Sequence, residues 1–258
     1  MEDISREEID KSLSREKDFD ITASDGKKIF VRLNMAGDTL SEKAIVIGHG
    51  FTGKPEEALH QVARDYFNDK GYDVYRLAFY YDESGYRRLH ETTLAIHAQD
   101  LNEVLEHVRA KHKKLCVIGH SHGGLTLIYA NPQADAIAFW DPSYQPPGRR
   151  WVLNARLDAS GKYFERDGRF KFMVGKDSIE EVKSLTRDVA KNLAGKINTP
   201  SLVVLAENSW LGEDPNMLFE DLECEKGKVK IKGADHIFGK GKTAHDLVQK
   251  TYTWFERF

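Results

Sequence analysis

KLCVIGHSHGGLTLIY, residues Lys114–Tyr129, runs from an unbroken apolar segment through a glycine-rich turn into a second apolar segment. Leu115–Gly119 (LCVIG) suits a strand covered on both faces. Gly119-His120-Ser121-His122-Gly123 follows directly, and a helical pattern begins just beyond it. The isolated pattern G-x-S-x-G says little, but between a strand and a helix it is specific. The sharp turn lifts the Ser121 hydroxyl above the sheet edge and holds its backbone in a strained conformation. Gly119 and Gly123 leave room where strand and helix cross, and Gly124 extends that clearance. The helix directs its positive end at the site, which favours a developing anion. The plain alternative is a glycine-rich turn carrying a solvated serine.

Short apolar runs of the same kind recur on both sides. Lys28–Met35, Ala44–Gly48, Asp73–Tyr80, Ala136–Trp140 and Ser201–Ala206 read as strands, with Lys228–Lys232 a weaker last one. Pro55–Lys70, Glu91–Lys111 and Ala244–Phe258 carry the apolar stripes of helices packed on a sheet. Alternation of this kind predicts right-handed βαβ crossovers and an α/β fold with a mostly parallel, doubly wound sheet. One segment interrupts it. Residues 143–196 open with SYQPPGRRW, continue through KYFERDGRFKFMV with a hairpin signal at Asp167–Gly168, and end in a helical pattern over Ser178–Ala194. They are expected to form a small inserted lid on a core made of residues 1–142 and 197–258. The lid's Trp151, Phe164, Phe170, Phe172 and Met173 suit either an apolar cover or its own core.

Composition removes several classes. The 258 residues hold 38 Lys plus Arg against 41 Asp plus Glu, a net charge of −3, and are 40% hydrophobic and 31% charged. That balance excludes a mostly disordered chain and argues against a nucleic-acid binder. Two cysteines, Cys116 and Cys224, make no disulfide framework and fit a reducing compartment. No apolar run approaches the ~18 residues of a membrane span. The charged N-terminus, MEDISREEIDKSLSREKDF, lacks the apolar stretch of a secretory signal, so a cytoplasmic location is expected.

A serine nucleophile needs a base and a place for the oxyanion. Gly48-His49-Gly50-Phe51-Thr52-Gly53 follows a buried strand, and its glycines let backbone approach a ligand. The backbone N–H of Phe51 would pair with that of His122, the residue after Ser121, as an oxyanion hole. For the His49 side chain a buried imidazole bonded to loop carbonyls is the favoured reading. In a fold with this elbow the triad runs Ser, acid, His along the chain, which leaves His236 and His245. His245 falls inside the last helix, whereas His236 lies in the loop Gly233–Phe238 before it, and is the expected base. His120 and His122 are too near Ser121 for that task. A zinc reading of His49, His120 and His122 matches no closed site, so no metal is expected.

The motifs HGFTGKPEE at 49–57, GHSHGG at 119–124 and GADHIF at 233–238 resemble those of the α/β-hydrolases. More narrowly, they resemble the bacterial cinnamoyl/feruloyl esterases and the monoacylglycerol-lipase-like group, over about Phe30–Phe258. The resemblance implies an α/β-hydrolase fold with an inserted lid. It also implies cofactor-free cleavage of a small carboxylic ester through a Ser–His–acid triad. This sequence departs from the family at the acid. SLVVLAENSW at 201–210 places Ser209 where relatives carry an aspartate. Asp141 at the end of AIAFW is the first replacement, with Asp214 and Glu207 as alternatives. Asp141 also reads as a turn-forming Asp-Pro, and Asp214 as a helix cap before Pro215. A second departure is FYYDESGYRR at 79–88, where relatives have a Gly-rich loop; it suits either the acyl pocket or packing against the lid. The elbow alone does not separate an esterase from a peptidase, thioesterase or carbon–carbon hydrolase, nor from a degenerate relative that only binds a ligand. A small-molecule ester is the expected partner, and a homo-oligomer stays open.

Overall fold

The structure, a computed structural model, describes residues 15–144, 156–157, 163–165 and 173–258. Asp167–Gly168 and the side chains of Trp151, Phe164, Phe170 and Phe172 lie outside the described residues. In chain order the elements are β1 (Glu16–Thr22), β2 (Lys28–Asn34), β3 (Lys43–Gly48), α1 (Ala58–Asp69), β4 (Tyr72–Leu77), α2 (Leu94–Arg109), β5 (Lys114–His120), α3 (His122–Ala130) and β6 (Ala136–Trp140). After residues 145–155 come β7 (Arg156–Leu157), β8 (Tyr163–Glu165), β9 (Met173–Gly175), α4 (Lys176–Ser184) and α5 (Arg187–Ala194). The chain closes with β10 (Ser201–Ala206), α6 (Asp214–Asp221), β11 (Lys226–Ile231) and α7 (Thr243–Phe255).

Eight strands form one sheet in the order β1-β2-β4-β3-β5-β6-β10-β11. Only β2 runs against the others. Every residue of β4, β6 and β10 is buried, as expected for strands covered on both faces. One apolar layer packs α2, α3 and α5 on one face, through Leu101, Val104, Leu127 and Ala190. A second packs α1 and α7 on the other, through Ala63, Phe67, Leu247 and Phe255.

Two elements depart from the sequence reading, and a third is narrowed by the structure. β1 was not expected, because EKDFDIT is mostly charged and exposes both faces. Its backbone pairing with β2 and the Arg32 bridges to Glu16 and Asp18 hold it at the sheet edge. The helical pattern at Ser178–Ala194, which allowed one helix or two, forms two that divide at Leu185, where the Thr186 hydroxyl accepts the Val189 N–H at 3.3 Å and restarts the helix. The α6 helix, with Pro215 in its first turn, also escaped the periodic signal.

Between β6 and β10, none of the described residues of 143–196 joins the eight-stranded sheet. Within them β7, β8 and β9 form a separate antiparallel sheet. The segment is anchored to the core at the start of α2, where the Glu181 carboxylate accepts the N–H groups of Leu94 and Ala95 at 2.5 and 2.9 Å. Val174 and Ile179 form a small cluster against Phe51 and Leu89.

Candidate active site

Ser121 stands at the junction of β5 and α3 with φ 55° and ψ −114°, a conformation L-residues rarely adopt. Glycines on both sides make this turn feasible. A Cβ on Gly123 would lie 2.4 Å from the Gly48 carbonyl oxygen, and one on Gly119 would lie 2.5 Å from that of Gly123. Backbone bonds pin the turn to the end of β6. The Ser121 N–H donates to the Trp140 carbonyl, and the Ser143 N–H donates to the Ser121 carbonyl, both at 3.0 Å. Those two partners flank Asp141, which itself has φ 40°.

His236 arrives from the loop between β11 and α7. Its Nε2 is 2.9 Å from Ser121 Oγ, and its Nδ1 is 2.6 Å from Asp141 Oδ2. Asp141 is fully buried, and its carboxylate accepts two further bonds, from the Ala206 N–H at 3.1 Å and the Ser209 hydroxyl at 2.5 Å. An acceptor at Nδ1 sets the proton there and turns the Nε2 lone pair toward the serine. The other two carboxylates point elsewhere. Asp214 accepts the Tyr144 N–H at 3.0 Å, and Glu207 accepts the Gly233 N–H at 2.7 Å. Asp235, beside His236 in sequence, accepts the Gly239 N–H at 2.9 Å and shapes its own turn.

The histidines around the turn are packed rather than solvated. His49 is 1% exposed; its Nδ1–H donates to the Gly50 carbonyl at 2.7 Å and its Nε2 accepts the Phe79 N–H at 3.1 Å. His122 opens α3, so its backbone N–H has no partner within the helix. Its ring lies against Phe51 and meets His97 Nδ1 at 3.2 Å through Nε2.

Burial lowers the His49 pKa to about 4 from its ordinary 6.5. The unfolded chain therefore binds the extra proton first as pH falls. Stability from this group is complete above pH ~6.5 and declines toward pH ~4, by ~3 kcal/mol. Burial depresses His97 in the same direction. Urea midpoints should fall steadily between pH 7 and pH 4, and a flat profile would contradict this account.

A cavity of about 570 Å³ is lined by Lys54, Pro55, Tyr80, Tyr81, Arg88 and Met173 among others. Five of the ten residues of FYYDESGYRR therefore border open space, although neither Ser121 nor His236 lines this cavity. Two apolar side chains at the site escaped sequence reasoning. Trp210 is 70% exposed with its ring edge-on to His236 at 4.8 Å, and Ile237 is 62% exposed. No periodicity marks such residues, because each stands in a loop.

The architecture has many solved counterparts. The esterase domain of a Rhodothermus marinus protein superposes with a TM-score of 0.72 at 21% identity, over 94% of this chain and 98% of that one. Est1E from Butyrivibrio proteoclasticus matches at TM-score 0.72 and 18% identity, over 93% and 99%. The α/β hydrolase GrgF from a Penicillium species matches at 0.74 and 15%, over 94% and 98%. This chain has the α/β-hydrolase fold. No family model matches the sequence, and no curated protein does. Among the described residues no helix is long and apolar enough to cross a membrane. In an α/β-hydrolase fold the strand–turn–helix around Ser121 stands at the carboxyl edge of the parallel strands, where open α/β sheets hold their ligands.

Proposed function

We propose that this chain is a serine hydrolase of small carboxylic esters, with Ser121 as nucleophile, His236 as base and Asp141 as the acid that orients it. The observation that carries the reading is the chain of bonds from Ser121 Oγ through His236 to Asp141, at 2.9 and 2.6 Å, on a serine with positive φ. His236 takes the hydroxyl proton as Ser121 Oγ bonds to the ester carbonyl carbon. The oxyanion is met by the N–H groups of Phe51 and His122, each worth ~3–4 kcal/mol in the transition state. His236 returns the proton to the leaving alcohol as the C–O bond breaks. Water, deprotonated by the same imidazole, then releases the acid and restores Ser121. Within this proposal residues 143–196 are the lid, since Val174 and Ile179 pack against Phe51. Neighbours named as esterases favour an ester over a thioester or amide.

A fluorophosphonate probe is expected to label Ser121 stoichiometrically, and a panel of aryl esters, thioesters and aminoacyl amides is expected to give fastest turnover with the esters. Absence of labelling would instead mark a ligand-binding relative without turnover. Fastest turnover of a thioester or amide would move the reading to that bond.

A further inference from the structure

Three ligand-type side chains, Glu57, His60 and His120, meet outside the bonds used above. We propose that Glu57, His60 and His120 bind one divalent transition-metal ion of the zinc type.

His120, the last residue of β5, is 5% exposed. Its Nε2 is 2.8 Å from the His236 carbonyl oxygen. A carbonyl only accepts, so Nε2 carries the proton and Nδ1 presents a lone pair. That Nδ1 is buried and has no hydrogen-bond partner. His60, in the first turn of α1, is 1% exposed, and neither of its ring nitrogens has a partner. The Lys54 carbonyl acts on the ring only weakly, short of hydrogen-bonding geometry. Buried imidazole nitrogens left unpaired are uncommon in folded proteins and call for an explanation. A bound ion would take one unpaired nitrogen from each ring.

Glu57 completes the set. It precedes α1 and lies three residues before His60, a spacing that puts both side chains on one face. Its Oε2 is 3.7 Å from His60 Nε2, and donor atoms of all three residues lie within 4.8 Å of one another. Two ligands held ~2.0–2.1 Å from a tetrahedral ion stand ~3.4 Å apart, so small side-chain movements close the site. Gly53 keeps the approach open, since a Cβ there would lie 2.7 Å from Glu57 Oε1. The donor set also selects the ion. Two imidazoles and one carboxylate suit zinc and its neighbours, whereas magnesium and calcium take oxygen ligands. Donation of the second His120 nitrogen to a backbone carbonyl is the outer-shell bond that metal-ligating histidines usually make. Bound there, the ion would tie α1 to β5 and, through His120, to the loop that carries His236. Three protein ligands leave a fourth position for water.

The test uses the full-length chain stripped with a chelator and dialysed. Titration with Zn²⁺ should show one ion per chain and a raised Tm, and Co²⁺ should give the strong visible bands of a tetrahedral site. Glu57→Gln should weaken Zn²⁺ by at least ~100-fold, more than most outer-shell losses, and abolish the Co²⁺ bands. His60→Leu should do the same. Glu57 is half-buried, so its variant decides the matter even where His60→Leu fails to fold. No bound ion, or binding unchanged in Glu57→Gln, overturns the proposal. Because the readout is ion binding, this result is independent of whether the chain cleaves esters.

Discussion

Ser121→Ala is expected to lower kcat for a short-chain aryl ester by ~10⁶-fold, the scale seen when a serine nucleophile is removed from an intact triad. The geometry makes the prediction clean. The Ser121 backbone is held by bonds to Trp140 and Ser143, and alanine keeps both. The side chain is small and nearly buried, so the variant loses one hydroxyl and little packing. KM should change by much less than kcat, because the hydroxyl acts on the reacting carbon rather than on binding. Residual turnover above water would come from the Phe51 and His122 N–H groups. Single-turnover measurement with a chromogenic ester checks this, and activity within tenfold of the parent would remove Ser121 from the mechanism.

Asp141→Asn carries the second largest effect, a ~10⁴-fold fall in kcat. The Asp141 carboxylate accepts from three donors: the Ala206 N–H, the Ser209 hydroxyl and His236 Nδ1–H. An asparagine has one oxygen for all three, and its amide nitrogen must face a donor. Turned toward His236, that amide forces the proton onto Nε2, where it can no longer accept from Ser121. The imidazolium formed during the reaction also loses its counter-charge. Asp214→Asn and Glu207→Gln are the controls. Their carboxylates accept from Tyr144 and Gly233 N–H groups, which an amide oxygen can still do, so kcat should stay within a few-fold. If Asp214→Asn proves the damaging change and Asp141→Asn the mild one, the acid is misassigned.

Local sequence spoke clearly where a function needs a backbone shape. The Ser121 turn is legible because strand, glycine spacing and helix all fall within sixteen residues. The loop after β3 and the position of His236 before α7 are legible for the same reason. The point where α4 gives way to α5 was hidden because apolar periodicity carries across Leu185 and Thr186, and only the Thr186 cap marks the restart. β1 was hidden because its stability comes from pairing with β2 and from charges on another strand. Trp210, Glu57 and His60 gave no signal, since what distinguishes them is a neighbour far along the chain.

The acid shows the division most sharply. Sequence alone determined the α/β alternation, marked the Ser121 turn and His236 as candidates, and left Asp141, Asp214 and Glu207 all standing. Choosing among them needs the sheet order. β6 lies between β5 and β10, with Trp140 opposite both His120 and Val204. That register puts the residue after β6 next to the Ser121 turn and beneath the loop after β10, so Asp141 Oδ2 receives both His236 and Ser209. Ser209 thus bonds to the carboxylate that reaches the histidine. Hydrogen bonds between strands set that meeting, and the residues they align lie 68 and 95 positions apart in the chain.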